Sequence, residues 1–204
     1  MNELSDKADE AKSDLRRRQV LDAATECFRL EGFHGSSIAR ISRAAGMSAG
    51  HIYHYFANKE AIVEAIADRE QDNMATLVQQ LADDTEGGSL VARLTRQTAG
   101  VVQQNSDPAV VGLILELAAE SARNPTIAQI LQRSDRAIGD QFADLIHRIG
   151  SLSKLPEEEV RLRVTLIAAV VQGLAMRSIV EPQRDQEGVV RLLNRVFAVL
   201  LEDK

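Results

Sequence analysis

The chain has 204 residues, 45% of them hydrophobic and 26% charged, which suffices to bury a core in one large domain or two small ones. A single cysteine, Cys27, excludes an internal disulfide framework, and the acidic opening MNELSDKADEAKSD does not read as an export signal. The net charge of −6 argues against a polyanionic partner when taken whole, but it divides into −3 over residues 1–14, +4 over 15–59 and −7 over 60–204, so polyanion binding is expected within 15–59.

The opening dozen residues lack apolar content and are expected to form a flexible tail over 1–14. Proline occurs only at positions 108, 125, 156 and 182, and no stretch alternates apolar and polar residues long enough for a strand, so the chain reads as all-α. A first helix is expected from about Ser13 to Leu30, with Val20, Leu21, Ala24, Cys27 and Phe28 on one face and Gly32 as its stop. A short helix follows in SSIARISRAAG, capped by Ser36 or Ser37. Gly46 supplies a turn, Ser48 a second cap, and AGHIYHYF a further short helix. Asn58 caps a long helix reaching about Thr85, which EGGS then breaks. Later helices are expected at Leu90 to Gln104, Pro108 to Arg123, Pro125 to near Gly150, Pro156 to Glu181 and Glu187 to Leu201. The total is about nine helices. The near-apolar run Val164 to Met176 is shorter than the roughly 20 residues of a membrane span, so a soluble cytoplasmic protein with no membrane partner is expected.

Both tyrosines of the chain stand in HIYHYF, residues 51–56. Two short helices joined at a glycine, behind a scaffold helix, are the pattern of a helix-turn-helix. With Ser48 as cap, Ile52 and Phe56 share one face with Tyr55 beside them and meet Ile38 and Ile41. Gly50, His51, Tyr53 and His54 occupy the opposite face. Glycine, imidazoles and a phenol bury poorly but can approach a duplex closely, and the helix's first amides can meet phosphate. His51 and His54 could instead share a metal, but no acidic or thiol partner is near in sequence.

Residues 16–66 resemble the DNA-binding domain of TetR-family transcriptional regulators. The matching positions are Val20–Leu21, Ala23–Ala24, Cys27–Phe28, Gly32, Ser36–Ser37, Ile41–Ser42, Ala45-Gly46-Met47-Ser48, Gly50, Ile52–Tyr53, Tyr55–Phe56, Lys59 and Ile62. The resemblance implies a three-helix DNA-binding domain over 15–60 and a helical effector-binding and dimerisation domain over 61–204. It implies DNA contacts at Ser37, Ser48, His51, Tyr53, His54 and Lys59. Gly50, Tyr55, Arg40 and Arg43 join these as candidates from the helix faces. Ala49 departs from a position often basic or polar in relatives, and His51 from one commonly small or threonine.

The helices over 157–181 and 187–201 are apolar on more than one stripe, which suits pairing with a second copy through Ile167, Val171, Leu174, Leu192, Val196 and Val199. Two copies would read a palindrome with half-sites about one DNA turn apart. Between them and the N-terminal domain, Gln97, Glu116, Glu120, Gln141, Phe142 and Gln172 are candidates for an effector cavity, and Glu116 or Glu120 within it would favour a cationic, lipophilic ligand. Local pairs such as Glu120 with Arg123 are the alternative. A homodimeric, ligand-released repressor on double-stranded DNA is the expected function, with the long helix from Asn58 as lever and no cofactor. An activator of the same fold and a metal sensor using His51 and His54, or His34 and His147, stay open. No nucleophile, base and acid cluster suggests an enzyme.

Overall fold

The computed structural model of the protein describes residues 3–149, 152 and 154–202, with side chains from Ala11 onward. Among the described residues there are nine helices and no strand: α1 (Glu3–Gly35), α2 (Ile38–Ala44), α3 (Ala49–Tyr55), α4 (Lys59–Ala82), α5 (Leu90–Gln104), α6 (Pro108–Ser121), α7 (Pro125–Ile149), α8 (Glu157–Val180) and α9 (Gln186–Leu201). Gly150, the expected end of α7, lies outside the described residues.

The largest departure is at the start. Helix α1 begins at Glu3 rather than near Ser13. Residues 11–15 of it are exposed, so intrinsic propensity extends it rather than burial, and Glu3, Leu4, Lys7, Ala8, Glu10, Ala11 and Lys12 are all strong helix formers. Its far end is interrupted at the expected glycine. Gly32 has φ 74° and ψ 166°, a conformation open essentially to glycine alone.

The helix starts follow their caps. Ser37 and Ser48 accept from the amides of Arg40 and His51, and the Asn58 side chain accepts from Ala61 N at 2.8 Å. Ser36, the other candidate for the first of these caps, is fully buried and donates its hydroxyl to Gly32 O at 2.8 Å.

Two packed units emerge, and they do not follow chain order. Residues 112–131 pack with those up to Arg69, and Glu70–Val111 packs with the chain from Gln132 onward. The first unit is built on Val20, Ala24, Phe28, Ile41, Ile52, Phe56, Ile62 and Val63, joined by Leu117, Ile127 and Ile130. Leu113, Leu117, Ile127, Ile130 and Leu131, on helices that come later in the chain, pack into or against the core that carries the helix-turn-helix. The second unit centres on Leu81, Val102, Leu145, Leu152, Val160, Leu193 and Phe197. Within it, Thr98 is fully buried and donates to Asn194 Oδ1 at 2.6 Å, which satisfies a hydroxyl that would otherwise weaken the α5–α9 packing.

Helix α8, at 24 residues, is long and apolar enough by length and composition to cross a bilayer, contrary to the shorter run read from the sequence. The helix continues through Arg177 to Val180 and begins upstream of Val164. Val160 and Ala175 are buried, and Arg163 binds both Glu159 and Leu200 O, at 2.9 and 3.0 Å.

Candidate nucleic-acid interface

Helix α3 is only seven residues long, too short to persist alone, so its position depends on its cap and on what it buries. Ile52 and Phe56 are 0% and 2% exposed, and Tyr55 packs half-buried against the same core. A helix so anchored must turn its remaining face outward. Gly50, His51, Tyr53 and His54 are all exposed, Tyr53 at 56%. A Cβ built on Gly50 would meet nothing within 4 Å, so that part of the surface is open to a close approach. The rings are ordered among themselves. His51 stacks on Tyr55 with centroids 5.4 Å apart, and His54 meets the same ring edge-on at 5.1 Å. Tyr55 is thus the partly buried post that fixes two imidazoles on the outer face.

The two cap serines lend their oxygens to Arg40 N and His51 N, at 3.1 and 3.2 Å. Each hydroxyl keeps its hydrogen for an outside acceptor. Met47 N returns to Ser42 O at 2.9 Å and Gly46 holds φ 63°, closing the turn between α2 and α3. From the scaffold helix, Gln19 donates its amide to Ala45 O at 2.7 Å, pinning that turn to α1. No sequence signal marks Gln19, because its partner lies 26 residues away.

The cationic candidates separate. Arg43 is exposed at the end of α2. Arg40 is instead bound by Nε to Glu31 Oε1 at 2.6 Å, and that hydrogen bond raises its pKa. Lys59 turns inward: Nζ donates to Phe33 O and sits 4.2 Å from the centre of the Phe33 ring. Burial holds its ammonium below the usual lysine range. Both therefore serve the fold where the sequence suggested free contacts, because each has an internal acceptor within reach of α1's broken end.

The same end captures two of the proposed effector residues. Glu116 Oε1 accepts from Phe33 N at 2.7 Å, supplying the bond lost where Gly32 leaves the helix. Glu120, fully buried, is surrounded by Arg123 Nε at 3.0 Å, Asn124 Nδ2 at 3.1 Å and His34 Nε2 at 3.1 Å. The local-pair reading of Glu120 is the one the structure adopts, and both carboxylates are engaged within the protein. Gln97 and Gln172 are exposed rather than inward, while Phe142 packs half-buried against the second core. Gln141 keeps a side-chain oxygen that is out of water and has no hydrogen-bond partner among the described residues.

On α8 and α9 the expected pairing residues also divide. Ile167, Leu174 and Val196 pack against the second core and Val171 is half-buried, whereas Leu192 and Val199 are 58% and 64% exposed. The outward apolar stripe of α8 runs through Leu162, Leu166, Val170 and Val180 instead. A step of one residue rotates the face by about 100°, which accounts for the difference. No group of three or more His, Cys, Asp or Glu side chains gathers in a metal-binding cluster among the described residues. Cys27 is buried, and burial raises its thiol pKa, away from the reactive thiolate.

Comparison with known proteins agrees with this geometry. Residues 20–66 match the family described as bacterial regulatory proteins, tetR family, and residues 92–202 match the BetI-type transcriptional repressor C-terminal family. The HTH-type transcriptional regulator BetI of Cronobacter sakazakii is 29% identical over 192 residues, covering 90% of this chain and 89% of the relative. The solved structure of Salmonella enterica GusR superposes with a TM-score of 0.74 at 29% identity, covering 91% of this chain and 95% of that one. FadR of Bacillus subtilis, solved in complex with stearoyl-CoA, has a TM-score of 0.69 at 21% identity and covers 91% of this chain and 97% of its own, a likeness of fold. With the helix-turn-helix and the C-terminal half each matched, the chain belongs to the TetR family of transcriptional regulators, with a C-terminal domain of the BetI repressor type.

Proposed function

We propose that this regulator is a homodimeric repressor that reads a palindromic operator through α3 and releases it on binding a small lipophilic molecule. One observation carries the reading. The face of α3 holding Gly50, His51, Tyr53 and His54 is exposed and ordered by Tyr55 while the opposite face is locked into the core. His51 and the Gly50 backbone would meet base edges, and Ser37, Ser48, Tyr53 and His54 phosphates.

Pairing is supported by the exposed stripes on α8 and α9. Leu162, Leu166, Val170, Leu192 and Val199 are large apolar side chains left exposed on these two helices, and apolar stripes of this kind mark interaction surfaces. Gly173 lies exposed on α8 with nothing within 4 Å of a built Cβ. A glycine costs a helix interior about 1 kcal/mol relative to alanine, which close approach of a partner helix would repay. The effector would bind in the second unit, where Phe142 and the Gln141 oxygen, unpartnered among the described residues, suit an apolar ligand with one hydrogen-bond donor. The BetI-type repressor match and the stearoyl-CoA held by FadR, a protein of the same fold, support repression and a lipophilic ligand. A regulator of chromosomal DNA would act in the cytoplasm. Selection from a random duplex pool tests the reading: a palindromic site bound by two copies is expected. Recovery of no sequence at any salt would refute it.

A further inference from the structure

Of the seven cations that make residues 15–59 positive, three are engaged internally. Arg29 binds Glu26 at 2.6 Å, Arg40 binds Glu31, and Lys59 donates to Phe33 O. Among the described residues Arg16 bonds to the neutral side chain of Gln19, at 3.1 Å, and to no carboxylate. Arg17, Arg18 and Arg43 are exposed, and among the described residues no acid or carbonyl is paired with them. The positive charge available to an outside polyanion therefore lies mainly on the middle of α1, at residues 16–18, and the end of α2. The start of α4, where the sequence pointed, is withdrawn.

Arg17 differs from the others in being held. Its guanidinium carbon lies 4.9 Å from the centroid of Phe56, the residue that ends α3 and is 2% exposed. Two residues on, Gln19 ties the same turn of α1 to the carbonyl of Ala45, the C-cap of α2. A guanidinium on an aromatic ring uses its face and retains its in-plane N–H donors, whose fork geometry matches two phosphate oxygens. We propose that Arg17, stacked on Phe56, is a pre-positioned phosphate clamp of the DNA interface, taking the role the sequence suggests for Lys59. This inference rests on the DNA-binding reading above and adds to it a contact from outside the helix-turn-helix.

The test is the salt dependence of binding by the full-length protein to the duplex recovered from the random pool, with an unrelated duplex alongside. Each phosphate contact contributes a slope of roughly 0.9 in log affinity against log salt. R17A, counted in both copies of a dimer, should flatten the slope by about 1.8. It should also weaken both duplexes about equally, by around tenfold near 0.15 M salt. R17Q keeps a planar group on the ring but no charge and should do the same, so it answers the question if R17A folds poorly. R136Q, which removes an exposed arginine from the second unit, should leave the slope unchanged. A steep wild-type slope preserved in both R17A and R17Q would overturn the assignment of Arg17 alone. A wild-type protein with no salt-dependent binding would instead remove the DNA reading on which it stands.

Discussion

Glu116 and Gly32 illustrate how much can depend on two side chains, one of them absent. The carboxylate of Glu116 receives Phe33 N where the helix is interrupted, and a Cβ on Gly32 would stand 3.1 Å from that same oxygen. Glu116→Ala leaves a part-buried amide without an acceptor and should cost about 1–3 kcal/mol in urea unfolding; an unchanged midpoint would refute the role. Gly32→Ala should cost a similar amount, since its backbone conformation is strained for any L side chain. At His51 the expected effect is of another kind. His51→Ala should alter which bases are tolerated in each half-site while leaving the salt slope near that of wild type, as read by repeat selection from the random pool. The wheel of residues 48–56 was legible because exposure on a one-turn helix follows directly from which residues are apolar. The partners of Glu116 and Glu120 were left open between local pairs and a cavity for the converse reason: a carboxylate on a helix says nothing of which distant segment it will face, and theirs is the broken end of α1.

Among the elements, α3 owes most to its capping residue. Ser48→Ala removes the acceptor for His51 N and should cost about 1 kcal/mol, measured by denaturation, with weakened binding to every duplex. The loop after α4 offers a pH test. Asp84 is bound by Arg96, and that hydrogen bond holds its carboxyl below the usual value. A depressed carboxylate contributes stability above its unfolded pKa, and the contribution is lost as pH falls through the folded value. The gap in Tm between wild type and Asp84→Asn should therefore persist at neutral pH and close in the acid range, below about pH 4. A gap that stayed constant down to pH 2 would count against the tie. Helix starts were readable from Ser37, Ser48 and Asn58 because a cap is a local device. The upstream extension of α1 was not, since hydrophobic periodicity is silent where the sequence carries no apolar stripe.

For the whole molecule, assembly is the quantity at stake. Leu166 and Val170 are exposed at 54% and 38% on the α8 stripe. Leu166→Asp should yield a monomer in sedimentation and lower operator affinity by at least tenfold, because one reading head forfeits the benefit of a tethered second. A dimer of unchanged mass would discredit this face. Order of helices and membership of the family were visible in the sequence. The grouping of 112–131 with the N-terminal residues was not, because apolar spacing shows that a face is buried without showing against what.

The cluster around Glu120 has a consequence for how such a chain can diverge. A carboxylate sealed from water is tolerable only with its donors in place, and stripping one side of the arrangement leaves a stranded charge or an unanswered donor. Drift at positions 34, 120, 123 and 124 should therefore be concerted, with lineages either retaining the quartet or exchanging it wholesale for hydrocarbon.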